Sequence, residues 1–286
     1  MRYEFIREHR REFSVQRMCR VLNVTRSGYY AWQPEKTGPR AQENQALVEH
    51  IRKEYMYSRQ TYGSPRICAA LQGQGLTCGR HRVARLMRRE GIRSKKRHRW
   101  HPVTTQRQAG VIPAPNHLNQ NFSATLPNTK WVSDFTHIDT AEGWLYLAVI
   151  LDLFSRKVVG WAMAKQMDTA LVENALRMAL DTRCPEASLL HHSDQGSQYT
   201  SASYQSQLAD AKIQANMSRV GNCYDNAVVE SFFGTLKTEC VTTQFATHAL
   251  AHTTIFEYIE VWYNRKRLHS TLGYLSPAEF ERQHGH

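Results

Sequence analysis

Three acidic side chains, Asp134, Asp194 and Glu230, stand where this sequence could do chemistry. Asp134 sits inside KWVSDFTHIDT between Val132 and Phe135, and a carboxylate within a strand is costly unless it is paired or liganded. Asp194 follows His191, His192 and Ser193 and precedes Gln195-Gly196-Ser197. Alone it fits a turn or helix-cap aspartate as well as it fits a ligand. Glu230 lies in DNAVVESFFGTLKTE. At about 100° per helical residue, Val228, Phe232, Leu236 and Cys240 share one apolar sector, with Asn226, Glu230 and Lys237 along its edge. That edge meets a sheet boundary, and the plain alternative is a solvated helix position.

Together the three carry a mechanism. Phosphodiester cleavage needs an activated oxygen nucleophile and stabilisation of the leaving oxygen, and two divalent ions about 3.5–4 Å apart supply both. Hard cations such as Mg²⁺, with Mn²⁺ as its substitute, take oxygen ligands, and carboxylates provide the charge that holds them. Of the two neighbouring histidines, one reads as strand packing and the other as a neighbour of such a site.

The net charge of +12 is divided unevenly. Residues 1–128 hold 24 lysines and arginines against 8 glutamates and no aspartate, and Asp134 is the first aspartate in the chain. The remainder carries a net negative charge. A basic front half points to a polyanion, best a nucleic acid, and the acidic half to another use for carboxylates. No apolar run approaches the roughly 18 residues of a membrane span. The charged N-terminus lacks the apolar stretch of a secretory signal. These features lead us to expect a soluble, cytoplasmic protein without a membrane partner. No two of the six cysteines have C-x-x-C spacing, so structural zinc is not expected.

The elements that must position these groups fall into four regions. Residues 1–92 read as short helices. Ser14 can cap VQRMCRVL, VTRSGYYAW follows a break at Asn23, and ENQALVEHIRKEYMYS forms a longer helix. Ser64-Pro65 opens PRICAALQG, the glycines of GQG break it, and GRHRVARLMRRE runs to Gly91. Two short helices with a glycine-containing turn, the second rich in arginine, fit a helix-turn-helix. In the second, Val83, Leu86 and Met87 form the inner stripe, while Arg82, Arg85 and Arg89 share an outer face near Arg88. That face suits DNA phosphates and base edges, or is simply solvated. Residues 93–128, with Lys95, Lys96, Arg97 and several prolines, read as a basic tether along a nucleic acid or as a plain linker.

From residue 129 the pattern alternates. KWVSDFTHIDT, WLYLAVILDLF and RKVVGWAMA predict three strands, and TALVENALRMALDTR a helix. SLLHHS, SASYQSQLADA, KIQANMS and DNAVVESFFGTLKTE then predict strand, helix, strand and helix. This order predicts an α/β core over 129–240 in which a mixed five-stranded sheet is flanked by helices. Residues 241–286 form a C-terminal helical segment. Its helix ends in Arg265-Lys266-Arg267, a cluster suited to DNA, to a partner or to the helix C-terminus itself.

WVSDFTHI, HHSDQGSQYTS and GNCYDNAVVESFFGTLKTE, followed by YNRKRLHSTLGYLSPAEF, resemble the second-reading-frame (OrfB-type) transposases of insertion-sequence family three. The core of that family is similar to retroviral integrases. The 35 residues between Asp194 and Glu230 match its spacing, and YGSPRI…GRHRVARLMRREGI is similar to its helix-turn-helix segment. Phe135 and His137 depart from the family pattern without touching a carboxylate.

The resemblance implies a ribonuclease-H-like core using Asp134, Asp194 and Glu230 as catalytic metal ligands for two Mg²⁺ ions. It implies cleavage at the terminal repeats of the element, then strand transfer to target DNA, and a contact from Lys237 to the DNA end. It also implies a first-reading-frame partner and homo-oligomers on DNA. Two other readings stay open at this point: a non-catalytic DNA-binding regulator, and a nuclease without joining activity.

Overall fold

The computed structural model describes residues 2–32, 39–95, 114, 118, 120–186, 188–218 and 226–285. The expected DNA-contacting residues Lys96 and Arg97, most of the 93–128 tether and residues 219–225 before Glu230 lie outside the described residues. The chain forms two compact units, Met1–Lys53 and Glu54–His286, dividing within one long helix, α4 (Pro39–Tyr57).

The first unit begins with α1 (Arg2–Glu8), α2 (Val15–Val21) and α3 (Arg26–Ala31). Ser14 and Thr25 cap α2 and α3, accepting hydrogen bonds from Arg17 N at 3.4 Å and Gly28 N at 3.0 Å.

The second unit opens with a helix pair, α5 (Ser64–Gly73) and α6 (Arg80–Arg89). Five strands follow: β1 (Lys130–Thr140), β2 (Gly143–Asp152), β3 (Val158–Ala164), β4 (Leu190–Ser193) and β5 (Gln214–Met217). Their order in the sheet is β3-β2-β1-β4-β5. The first three pair antiparallel, and β4 and β5 add in parallel. Hairpins join the antiparallel strands, whereas the parallel additions need crossover helices. Those are α7 (Thr169–Arg183) and α8 (Ala202–Asp210). This is the ribonuclease-H-like arrangement expected of the core.

Burial explains the strand sequences. From Leu147 to Asp152 every residue of β2 is buried, as in a strand covered on both faces. One face packs Trp131, Ala148, Ile150 and Val159 against Leu171, Val172 and Leu176 of α7 and against Tyr199 and Tyr204. Gly160 lets α7 approach β3, because a Cβ there would clash with the carbonyl of Ala175. On β1, α9 (Ala227–Glu239) packs as well, and α10 (His248–Phe256) follows it.

The expected single C-terminal helix instead passes from α10 into a π-helix, Glu257–Tyr263. Tyr258, Ile259, Trp262 and Tyr263 are its buried residues, a spacing that stays on one side of a helix widened to i→i+5 bonding. The terminal basic cluster also divides. Arg265 and Lys266 are exposed, but Arg267 is buried and forks onto Glu239, its Nε at 3.0 and 2.9 Å from the two carboxylate oxygens and Nη2 at 2.8 Å. Tyr258 OH also donates to Glu239 at 2.9 Å. An arginine inside a run of surface cations thus belongs to a buried pair, which local sequence does not reveal.

Removing one member of such a pair strands a buried charge. Arg267→Met is expected to cost about 3–5 kcal/mol in urea unfolding, whereas Glu239→Met with Arg267→Met costs much less. Equal losses in the two variants would show that packing rather than charge holds this corner.

Candidate active site

The parallel register of β1 and β4 pairs Trp131 with His191 and Val132 with His192. Each aspartate follows that last pair by two residues, Asp134 within β1 and Asp194 just beyond the end of β4. Strand alternation points Asp134 away from the face that carries Trp131 and Ser133. Asp134 is half-buried and accepts a hydrogen bond on Oδ1 from the Phe135 N–H at 2.8 Å. Asp194, just past β4, is buried, and its Oδ1 accepts from Gly196 N at 2.9 Å in a tight turn. Glu230 sits in the first turn of α9, where the positive end of the helix dipole favours a carboxylate.

Electrostatics ties the three together. Burial pushes the Asp134 carboxyl well above the usual carboxylate range; the charge of Asp194 raises it further, the Phe135 N–H pulls it back, and Glu230 raises it again. The three expected site residues therefore share one field, although they come from a central strand, a strand end and a helix. Among the described residues, no three His, Cys, Asp or Glu side chains are gathered at metal-ligand spacing. Like charges repel, so closing these three onto one point requires a countercharge. An all-oxygen, anionic donor set suits a hard divalent cation.

Tyr199, which the residue pattern did not single out, packs behind Asp134 on the face of β1 that carries Ser133 and Phe135. It is fully buried, shares a 2.9 Å hydrogen bond with Ser133 Oγ and stacks on Phe135 with ring centroids 6.2 Å apart. Burial raises its hydroxyl pKa first and the Asp134 charge second, so it stays a neutral hydrogen-bonding group. Its place in HHSDQGSQYTS, five residues after Asp194, was the available signal.

Both histidines are buried and partnered. His191 shares a 3.1 Å hydrogen bond with Tyr204 OH, and burial with the nearby His192 lowers its pKa to about 3. His192 Nδ1 accepts from Asn216 Nδ2 at 2.6 Å. His191 is strand packing, and His192 lies on the Asp194 side of β4 by strand alternation.

Lys237 lies two turns beyond Glu230 on α9, half-buried, with its pKa lowered by desolvation. It also depresses His137, whose pKa falls mainly through burial and then through this ammonium. On α6, Val83, Leu86 and Met87 are buried, Arg85 and Arg89 are exposed and Arg82 is half-buried. Arg89 Nε pairs with Glu90 at 2.9 Å. Lys95 is exposed, with its backbone N–H bonded to Gln60 O at 3.1 Å. α5 and α6 are separated by residues 74–79, a longer turn than the three or four residues of a tight helix-turn-helix. No helix among the described residues is long and apolar enough to cross a membrane.

Comparison with known proteins agrees with this picture. Residues 124–223 and 230–284 match two family models described as Integrase core domain, and residues 42–100 match an HTH-like domain. Transposase InsF for insertion sequence IS3A of Escherichia coli (strain K12) is 44% identical over 284 residues, covering 98% of each chain. An IS600 uncharacterized 31 kDa protein of Shigella sonnei is 42% identical over 93% of this chain and 98% of its own. Among solved structures, the simian T-cell lymphotropic virus intasome in complex with PP2A regulatory subunit B56 gamma aligns with TM-score 0.47 and 17% identity, covering 80% of this chain and 73% of that chain. The HTLV-2 integrase catalytic core domain in complex with magnesium aligns with TM-score 0.42 and 16% identity, covering 57% of this chain and 100% of its own.

The raised carboxyl of Asp134 has a consequence for stability. A carboxyl whose folded pKa exceeds its unfolded value costs nothing below the unfolded value of about 3.9, and the cost grows as pH rises to the folded value. In EDTA, Asp134→Asn is therefore expected to raise the melting temperature at neutral pH by about 2–4 °C, on the order of 1 kcal/mol. The gain should vanish below pH about 4. Millimolar Mg²⁺ should stabilise the wild type and leave Asp134→Asn unmoved. A variant no more stable than wild type at pH 7 would remove the proposed repulsion.

Proposed function

This chain belongs to the IS3-family transposases with an integrase core, and we propose that Asp134, Asp194 and Glu230 are the catalytic centre at which it cuts and joins DNA. The observation that supports this most is the parallel pairing of β1 with β4, which puts Val132 opposite His192 two residues before each aspartate; the charges of Asp194 and Glu230 add to burial in pushing the Asp134 carboxyl upward. Asp134 and Asp194 would hold two Mg²⁺ ions between them, and Glu230 would complete one site, with Mn²⁺ able to replace Mg²⁺. When bound, the ions activate the attacking oxygen and stabilise the leaving one.

The chain's own part is positioning. β1 carries Asp134, β4 leads into Asp194, and α9 would bring Glu230 to them. Seven residues along that helix, Lys237 supplies a cation for a phosphate of the bound DNA end. Hydrolysis at the element's terminal repeat frees a 3′ hydroxyl, which then attacks a strand of target DNA in the same pocket. No side chain forms a covalent bond to DNA in this scheme. The basic faces, including Arg82, Arg85 and Arg89 with Lys95, Lys96 and Arg97, hold the phosphate backbone. The first-reading-frame product and further copies of this chain complete the working assembly on DNA.

The test is strand cleavage of supercoiled plasmid in Mg²⁺ or Mn²⁺, comparing wild type with Asp194→Asn purified identically. We expect nicking by the wild type alone, stopped by chelation, with DNA binding retained by the variant. Equal nicking by both would remove Asp194 from the assignment, and a protein–DNA covalent adduct would overturn the direct mechanism. Arg85→Ala should lower the slope of log affinity against log salt by about 1 if that residue contacts phosphate. An unchanged slope returns that face of α6 to solvent.

A further inference from the structure

The first compact unit contains a helix pair that the catalytic reading does not use. α2 and α3 are joined by four residues, Leu22, Asn23, Val24 and Thr25. The chain turns at Asn23, which is left-handed with φ 52°, a conformation asparagine adopts more readily than most residues with a side chain. Thr25 then caps α3 through Gly28 N at 3.0 Å.

The inner side of the pair is a single small core. Met18 and Cys19 of α2, Tyr29 of α3 and Ile6 of α1 are buried together. Leu22 and Val24 from the turn, with Trp32 just after α3, pack against them. A Cβ on Gly28 would collide with the Tyr3 hydroxyl, so α1 lies close across α3 because residue 28 is glycine. Two short helices, a four-residue turn and a third helix packed on both make the architecture of a helix-turn-helix.

The outer side has the matching chemistry. Arg17 and Arg20 on α2, and Arg26, Ser27 and Tyr30 on α3, are all exposed. No aspartate or glutamate occurs from Ser14 to Trp32. Arg26 and Ser27 occupy the first turn of the second helix, the part of such a motif that reaches base edges. Arginine pairs bidentately with guanine, serine bonds to either base of a pair, and an aromatic edge packs on a thymine methyl. Tyr30 is 53% exposed, its ring held edge-on against Tyr29 with centroids 5.3 Å apart.

We infer that residues 2–32 form a helix-turn-helix module that reads duplex DNA in the major groove, with Arg26, Ser27 and Tyr30 on base edges and Arg17 and Arg20 on phosphates. The HTH-like match begins only at residue 42, so this module lies outside it. It acts separately from α5–α6 and needs no divalent ion, so it stands or falls independently of the carboxylate chemistry.

The experiment is selection from a randomised duplex library by the full-length chain in EDTA. Wild type is compared with Arg26→Ala/Ser27→Ala/Tyr30→Ala and with Arg85→Ala/Arg88→Ala. The α3 variant is expected to lose one contiguous block of the selected motif and to bind the wild-type motif about 10–100-fold more weakly. The α6 variant should keep that block. Arg26→Lys and Tyr30→Phe, which preserve the fold, should change the preferred bases within the block. Arg17→Ala/Arg20→Ala should keep the motif and lower the salt slope by about 2. Selection of the same complete motif at equal affinity by the α3 variants, or of no motif by the wild type, overturns the inference.

Discussion

Burial of the Asp134 carboxyl, with the charges of Asp194 and Glu230 acting on it, is a cost that the second unit has to carry. Asp134 is placed on a central strand where desolvation penalises its charge, and two further anions are then brought near it. No local preference of the chain favours that arrangement. It persists because each carboxylate is carried by an element whose position is decided elsewhere. β1 is paired on both edges, by β2 and by β4, so Asp134 has little freedom to leave. Asp194 is held by the turn its own side chain closes with Gly196 N. Glu230 depends on the placement of α9.

That placement is secured at the other end of the same helix. Glu239 closes α9, about 13 Å along the axis from Glu230 at 1.5 Å per residue. Its carboxylate is gripped by Arg267, Tyr258 and Trp262 from the π-helix and the segment after it. A fork of guanidinium on carboxylate resists sliding and rotation better than apolar contact does, because its hydrogen bonds are directional. The beginning of the sheet is braced in a similar way. Arg183 at the end of α7 reaches Glu281 at 2.5 and 3.0 Å and Asn128 at 2.8 Å, tying the C-terminal helix (Pro277–His284) to the strand that carries Asp134. One carboxylate in each brace is held by several charge-assisted hydrogen bonds. The same residue type thus stabilises or destabilises according to what faces it.

Where the signal was local, it could be read from the residues. The apolar run of β2, the strand around Asp134 and the helix that carries Glu230 need only strand and helix periodicity, and the structure has all three elements. The meeting of the carboxylates is non-local, and the spacing of Asp194 and Glu230 pointed to it only through family resemblance. Arg267 was opaque because its neighbours Arg265 and Lys266 are exposed, while its partner lies 28 residues earlier. The π-helix was hidden because YIEVWY has an apolar spacing that an α-helix also accepts with little loss. The tight turn at Asn23 was visible as a break between helices, but the cluster of Ile6, Met18, Cys19 and Tyr29 that makes it a folded motif spans three helices.

Segregation of charge follows from the same constraint. A protein that holds a polyanion needs many cations, yet under the proposed function a protein cation paired with Asp134, Asp194 or Glu230 would compete with a divalent ion for those carboxylates. Confining 24 of the 37 lysines and arginines to residues 1–128, where no aspartate occurs, keeps the two requirements apart in the chain. Cations within the acidic half are held in other ways. Arg183 and Arg267 are committed to Glu281 and Glu239, and Lys157 reaches Glu281 at 2.9 Å. Lys237 rides on the glutamate's own helix, two turns beyond Glu230. There its charge is close enough to lower the pKa of His137. Under the proposed function, a cation at that remove would offer positive charge to a DNA phosphate two turns from the carboxylate on the same helix.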